Sequence, residues 1–242
     1  MKMKVVQCWD DGVVNDIRLT DLLRKHGAKA TFNLNPGLMD PEKRGTPTWV
    51  KQGVGTNNHN FGFACGKLCH RDIPEVYRGF KLASHCWRHE NAGSIPDSEW
   101  IKAAMDARKF VEDIVQEPCP GFAWPCGVFT QGTIDLLREN GFAYGRTTKT
   151  TFDVTDCSEP LAISPNCHFK APDFWQRYAK AKEVGAFYFW GHSYELFRYD
   201  EMWDSFESMI KYISDDPDAE WADVIDIVPM LKKGTGNRKV SH

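Results

Sequence analysis

Lys4-Val-Val-Gln-Cys-Trp-Asp-Asp-Gly12 is the stretch on which the reading of this 242-residue chain turns. It starts as an apolar run around Val5 and Val6 and ends in two adjacent aspartates. Lys4 to Trp9 reads as a strand. Asn15 to His26 reads as a helix, because Leu19, Leu22, Leu23 and His26 recur at helical spacing. Asn15 is placed to cap that helix and Gly27 to stop it. Ala28 to Leu34, rich in Thr and Phe, reads as the next strand. A strand, a helix and a strand in this order form the basic unit of a parallel sheet.

The same alternation continues outward. Leu82 to His85 reads as a strand end. Asp97 to Val115 reads as a helix capped by Asp97, with Ile101, Ala104, Ala107, Val111 and Ile114 on one face. Gly121 to Trp124 and Phe142 to Arg146 read as strands on either side of a helix from Thr130 to Glu139. Asp173 to Lys182 and Asp200 to Ile213 read as helices around an apolar strand, Ala186 to Trp190. Asp223 to Val228 reads as a last strand. About seven strand–helix units follow from this. A closed or nearly closed barrel and a doubly wound open sheet both fit, and periodicity does not choose between them. Asn35 to about Ile73 has no period and is dense in Gly, Asn and Pro. A stretch of that length inside a compact domain is usually functional. Its Asn57, Asn58, His59 and Asn60 could line a cleft wall or lid, or mediate contacts in a homo-oligomer.

Composition limits the function classes. A net charge of -3 with no basic cluster in the body of the chain points away from nucleic acid and from an anionic membrane surface. The apolar run at Val5 and Val6 is too short for a signal-peptide core, and no stretch reaches membrane-spanning length. The expectation is a soluble, cytoplasmic protein. Residues 1–230 are expected to form its domain and residues 231–242, polar and Gly-rich, a flexible tail. The eight cysteines are expected as reduced thiols. Cys65, Cys69 and His70 could be drawn as metal ligands, but no second cysteine pair completes a structural zinc site.

The polar residues of interest gather at strand C-terminal ends, where the loops of an α/β barrel converge. Asp10 and Asp11 end the first strand. Two adjacent carboxylates repel each other and a cation relieves that cost, although Asp-Gly is also a common turn pair. His85 and His89 have HxxxH spacing, which on a helical turn aims two imidazoles at one metal and which also arises by chance. His192 follows the strand ending at Trp190. Taken alone it reads as a satisfied core histidine.

Taken together, these residues resemble the polysaccharide deacetylase family (NodB-homology, a carbohydrate esterase family). Its first motif, a strand ending Thr-Phe-Asp-Asp-Gly, is matched by Cys8-Trp9-Asp10-Asp11-Gly12. Its His-Ser/Thr-x-x-His motif is matched by His85-Cys-Trp-Arg-His89 after the strand from Gly79. Ala28-Lys-Ala-Thr-Phe32 resembles its second strand. Gly121-Phe-Ala-Trp-Pro-Cys-Gly127 resembles its third motif, and His192 after an apolar strand resembles its fifth. The resemblance runs from about residue 4 to residue 228.

It implies a deformed (β/α)7-type barrel of one domain that removes N-acetyl groups from a sugar or oligosaccharide. It implies one divalent metal, zinc first and cobalt, nickel or manganese as substitutes, held by Asp11, His85 and His89. Asp10 is implied as the general base, His192 as the general acid, and the backbone N–H of Cys126 as the oxyanion donor. Two departures stand out. Ala123 holds the position of an Arg that in the family orients the catalytic Asp, and Arg146 is the candidate to replace it. The family's Asp that orients the late His has no clear counterpart; Asp156 is one candidate, and a surface turn reads as well there. Trp9, Trp87, Trp124 and Tyr194 neighbour the motifs and could stack on sugar rings, or pack in the core. Another amide hydrolase of the same fold, allantoinase-like or deformylase-like, and a non-catalytic carbohydrate-binding relative are the alternatives.

Overall fold

The computed structural model describes residues 2–49 and 62–232. The segment Asn57 to Asn60 and nearly all of the expected tail lie outside the described residues. The strands are β1 (Met3–Asp10), β2 (Thr31–Leu34), β3 (Thr48–Trp49), β4 (Phe63–Ala64), β5 (Lys81–Ser84), β6 (Gly121–Ala123), β7 (Tyr144–Arg146), β8 (Cys167–His168), β9 (Ala186–Gly191) and β10 (Ala219–Trp221). The helices are α1 (Asp16–Lys25), α2 (Ile73–Val76), α3 (Asp97–Val115), α4 (Gln131–Glu139), α5 (Phe174–Val184) and α6 (Asp200–Asp215).

The main sheet is parallel throughout, in the order β7-β6-β5-β2-β1-β9-β8, and β10 pairs with the first half of β1. The small pair β3–β4 is antiparallel and separate. The choice left open by periodicity is settled by one short segment, residues 163–168. At its start Ile163 N–H donates to Gly145 O of β7 at 2.7 Å, and Thr147 N–H donates back to Ile163 O. At its end Cys167 and His168 pair with β9. The two edges of the sheet therefore meet across it, and the sheet curls into a deformed barrel with helices outside.

Strand periodicity decides which side chains enter the barrel. On β1, Val5 and Trp9 pack outward on Leu19, Leu22 and Leu23 of α1 and on Trp203, Phe206 and Ile210 of α6. Val6 and Cys8 point inward with Tyr188, Ile163, Val224 and Ile227, so Asp10 points inward too. On β9, Phe187 and Phe189 face the helices, while Tyr188 and Trp190 face the interior.

Several local expectations change. Val224–Met230 is a 3-10 helix, and the last strand is the earlier Ala219–Trp221. Asp97 is the first residue of α3, after Pro96, and makes no cap. The buried face of α3 is Trp100, Ala103, Ala104, Ala107 and Val111, one step round from the expected stripe. Asn15 does flank α1, but its Nδ2 donates to Phe197 O at 2.9 Å and not to the helix. The start of α1 is held by Asp16. This buried carboxylate accepts from Val13 N–H, from Tyr77 OH and from Ser193 Oγ, and so ties α1 to the turn after β9.

Trp9 is fully buried between the sheet and α6, against Phe169, Phe189 and Phe206, with its indole N–H on Gln7 Oε1. The expectation that it lines a sugar cleft is corrected by the alternation of β1, which sends its odd-numbered side chains to the helices. Trp9→Ala is expected to cost about 3–5 kcal/mol of stability through loss of core packing. Denaturant unfolding checks this; a variant as stable as the parent would contradict the placement.

Candidate active site

The C-terminal ends of β1, β5, β6, β7 and β9 surround a cavity of about 510 Å³. Its walls include Asp10, Asp11, His85, His89, Arg146 and His192. Trp124, Cys126, Trp190 and Tyr194 complete much of the rest.

The Asp10-Asp11-Gly12 stretch is both a turn and a wall of this cavity. Asp11 and Gly12 both have positive φ, 85° and 59°, which swings the chain away from the strand. At φ 59° Gly12 is in the left-handed region that favours glycine, and Met39 Cε packs 2.1 Å from where a Cβ would stand. Asp11 Oδ1 accepts from Asn35 Nδ2 at 2.8 Å, and Lys67 Nζ donates to Asp11 O at 2.7 Å and lies 3.5 Å from Oδ1. Burial opposes the charge on Asp11, but Lys67 and the neighbouring histidines outweigh it and hold the carboxyl well below its ordinary range.

His85 and His89 do not lie on a helix, contrary to the expectation from their spacing. They sit on an irregular loop in which Cys86 and His89 take positive φ, 58° and 63°. Those two left-handed residues fold the loop back so that the rings meet edge to face at 4.6 Å. His85 is buried and its Nδ1 lies 2.8 Å from Ala123 O. A carbonyl only accepts, so the proton sits on Nδ1 and Nε2 keeps a lone pair. Burial pushes this imidazole down to about 4, so it is neutral near pH 7. One ligand atom each from Asp11, His85 and His89 lies within 4.8 Å of the others. Two imidazoles and a carboxylate are a donor set that suits a small divalent cation with a coordination position to spare. Cys65, Cys69 and His70 are not such a group. Cys69 Sγ donates to Asp72, and His70 Nε2 lies on Pro36 O.

Arg146 is the second main feature. Its guanidinium is almost completely buried, bonds to Asp10 Oδ2, and lies 4.5 Å from the centre of the Trp190 ring. Asn33 Nδ2 donates to the other oxygen, Oδ1, at 2.6 Å. Burial alone would raise the Asp10 carboxyl, but Arg146, then His85 and His192, and the Asn33 amide hold it below the usual range. The arginine that the third motif lacks at Ala123 thus has a counterpart on the next strand, which pairs Ala123 with Arg146.

His192 Nε2 lies 3.8 Å from Asp10 Oδ2 and 4.0 Å from Asp11 Oδ2. The residue on its other nitrogen is Glu195, which sequence reading missed. Glu195 Oε2 accepts from His192 N–H at 3.1 Å and lies 3.2 Å from Nδ1. Burial works against a charged His192, yet Glu195, Asp10 and Asp11 together raise its pKa above the ordinary value. Burial likewise opposes the Glu195 charge, while His168 and His192 hold its carboxyl well below the usual range. The signal was present in His192-Ser-Tyr-Glu195, because an i, i+3 pair on a tight turn can meet. Asp156 lies elsewhere, exposed on the surface and paired with Lys232 at 2.7 Å. It makes no contact with His192, since its turn folds outward.

The aromatic residues divide. Tyr194 and Trp124 line the cavity, Tyr194 stacked on His192 at 4.8 Å and Trp124 stacked on Trp100 with its indole N–H on Leu161 O. Trp87 lies outside the cavity lining. It packs on Phe110 and covers Gly37, where any side chain would meet its ring at 2.3 Å. Cys126 is exposed at the cavity with a left-handed backbone, φ 52°.

Residues 1–145 match the sequence model of the family described as polysaccharide deacetylase. The chain belongs to the polysaccharide deacetylase family. No curated protein sequence matches it. Among solved structures, a Mycobacterium smegmatis protein assigned to the polysaccharide deacetylases is 15% identical, with a TM-score of 0.67 over 98% of this chain and 94% of that one. A family 4 acetyl xylan esterase from Clostridium thermocellum, in complex with a cobalt ion, is 14% identical, with a TM-score of 0.51 over 94% and 91%. The Streptococcus pyogenes deacetylase PplD, in complex with acetate, is 16% identical, with a TM-score of 0.51 over 65% of this chain. The match spans 61% of that protein, less than two thirds of its length. At such identities the likeness speaks for the fold. No helix among the described residues is long and apolar enough to cross a membrane.

The depressed Glu195 carboxyl makes a prediction about stability. A folded pKa below the unfolded value contributes stability that is complete above the unfolded pKa and is lost as pH falls below it. Glu195→Gln is therefore expected to melt below the parent from pH 7 down to about 4, with the gap narrowing only as pH falls further, from about 4 towards about 2. Thermal unfolding across that range checks it; a gap independent of pH would contradict an ionised Glu195.

Proposed function

We propose that the protein is a hydrolase that removes N-acetyl groups from an N-acetylated sugar or oligosaccharide. The observation that carries the reading is the convergence of five side chains on one cavity: Asp11, His85 and His89 as a ligand set, with Asp10 and His192 beside them. A divalent cation held by Asp11, His85 and His89, zinc first and cobalt, nickel or manganese as substitutes, would polarise the acyl carbonyl and acidify the attacking water.

The chain's own residues do the rest. Asp10, kept ionised by Arg146, takes the proton from the attacking water as general base. His192, with Nδ1 turned to Glu195, presents Nε2 to the same space and delivers a proton to the leaving amine. The backbone N–H of Cys126 stabilises the oxyanion that forms on the carbonyl oxygen as water adds to the acyl carbon, a contribution worth about 3 kcal/mol where such a donor is fixed. Trp190, Tyr194 and Trp124 supply aromatic wall for a sugar ring. The Arg146–Asp10 pair weakens the case for a non-catalytic relative, which rested on the missing arginine at Ala123. The catalytic domain is taken as residues 1–230, and the substrate as a carbohydrate.

Elemental analysis of purified protein is the first test. About one zinc or similar ion per chain is expected, with loss of the ion in His85→Ala and in Asp11→Ala. Acetate release from N-acetylated sugars is the second. Asp10→Asn is expected to keep the metal and lower turnover by roughly 10²–10⁴-fold. His192→Ala is expected to lower kcat far more than it raises KM. Loss of metal in Asp10→Asn would make Asp10 a ligand, and a change in KM alone for His192→Ala would end its assignment as the acid.

A further inference from the structure

Glu195 has a second imidazole on it. His168 ends β8, beside β9, and its Nε2 lies 2.8 Å from the same Oε2 that faces His192. The other ring nitrogen fixes where its proton is. His168 Nδ1 accepts from the backbone N–H of Lys170 at 3.2 Å. An amide can only donate, so Nδ1 carries a lone pair and the proton of the neutral ring sits on Nε2, aimed at Glu195. Oε2 thus receives His168 Nε2–H, His192 N–H and His192 Nδ1–H.

These three residues also sit close enough together to be considered as a cation site. The Lys170 amide argues against it. An imidazole ligating through Nε2 keeps its proton on Nδ1, and that position is taken by a donor.

Glu195 and His192 share one short turn directly after β9, so nothing within the turn fixes the carboxylate against a second strand. His168 comes from another strand and does. We propose that His168 is a positioning residue for the reaction, holding the Glu195 carboxylate so that His192 keeps its proton on Nδ1 and presents Nε2 to Asp10 and Asp11. The assignment rests on the reading of His192 as the residue that handles the proton.

The direct readout is the tautomer of His192, from ¹⁵N shifts of its ring nitrogens in the full-length protein, above the imidazole titration. His192→Gln identifies the signals. In the parent, Nδ1 is expected to be protonated and Nε2 bare. His168→Leu removes the donor and is expected to give a mixture of tautomers. His168→Gln places an amide N–H near the lost Nε2–H and is expected to restore the single tautomer, which separates positioning from mere packing. In acetate release, kcat should fall about tenfold to a hundredfold in His168→Leu, recover in His168→Gln, and leave KM nearly unchanged. An unaltered His192 tautomer in a folded His168→Leu overturns the proposal, as does a His168→Gln variant that behaves like the leucine. If the parent releases no acetate from any N-acetylated sugar, the functional reading fails, while the tautomer measurement still decides the role of His168.

Discussion

Arg146 and Asp10 form a nearly fully buried ion pair, and its geometry requires the rest of the architecture. The two residues end strands that the sheet order separates by β6, β5 and β2. A flat sheet would hold them far apart, at about 4.8 Å per strand. Contact between them requires the sheet to curl, and segment 163–168 completes that curl by bonding to β7 and β9. Removing one partner from such a pair leaves a buried charge uncompensated, typically at 3–5 kcal/mol, so the closure of the barrel and the charge state of Asp10 stand together. The guanidinium also lies 4.5 Å from the centre of the Trp190 ring, which connects the pair to β9.

The histidines of the cleft are told apart by what each ring nitrogen meets. His85 faces a carbonyl through Nδ1, which leaves Nε2 bare for a cation. His192 faces a carboxylate through Nδ1, which favours the charged ring and leaves Nε2 towards the aspartates. His168 faces an amide N–H through Nδ1, which places its proton on Nε2. One side chain type thus offers three different chemical surfaces, each set by one backbone or carboxylate group at hydrogen-bond distance. Of these partners only Ala123 is remote in sequence; Glu195 and Lys170 are brought to their histidines by local turns.

The site is also a region of unusual backbone. Asp11, Cys86, His89 and Cys126 all have positive φ, and all four lie at the cavity or on the loop that builds it. Such conformations cost L-residues about 1–3 kcal/mol each and persist where surrounding contacts hold them. At Asp11 the contacts are visible: the Asn35 amide and the Lys67 ammonium hold it. The glycines at positions 12 and 37 let Met39 and Trp87 pack against those loops without a clash.

What the sequence determined by itself was the alternation of strands and helices, the parallel class, and the motif residues Asp10, Asp11, His85, His89 and His192. These are local signals: period, apolar runs ending in polar residues, and spacing. Arg146 was legible only as a candidate, because nothing local says that a strand-end arginine will cross a barrel to Asp10. The place of Glu195 and His168, the exclusion of Trp9 and Trp87 from the cavity, and the outward turn of Asp156 were decided by tertiary structure. So was the choice between barrel and open sheet. Periodicity is set by neighbours along the chain, whereas closure, strand parity relative to the core and the proton position on His85 are set by groups that arrive from other strands. Those contacts exist only once the sheet has curled.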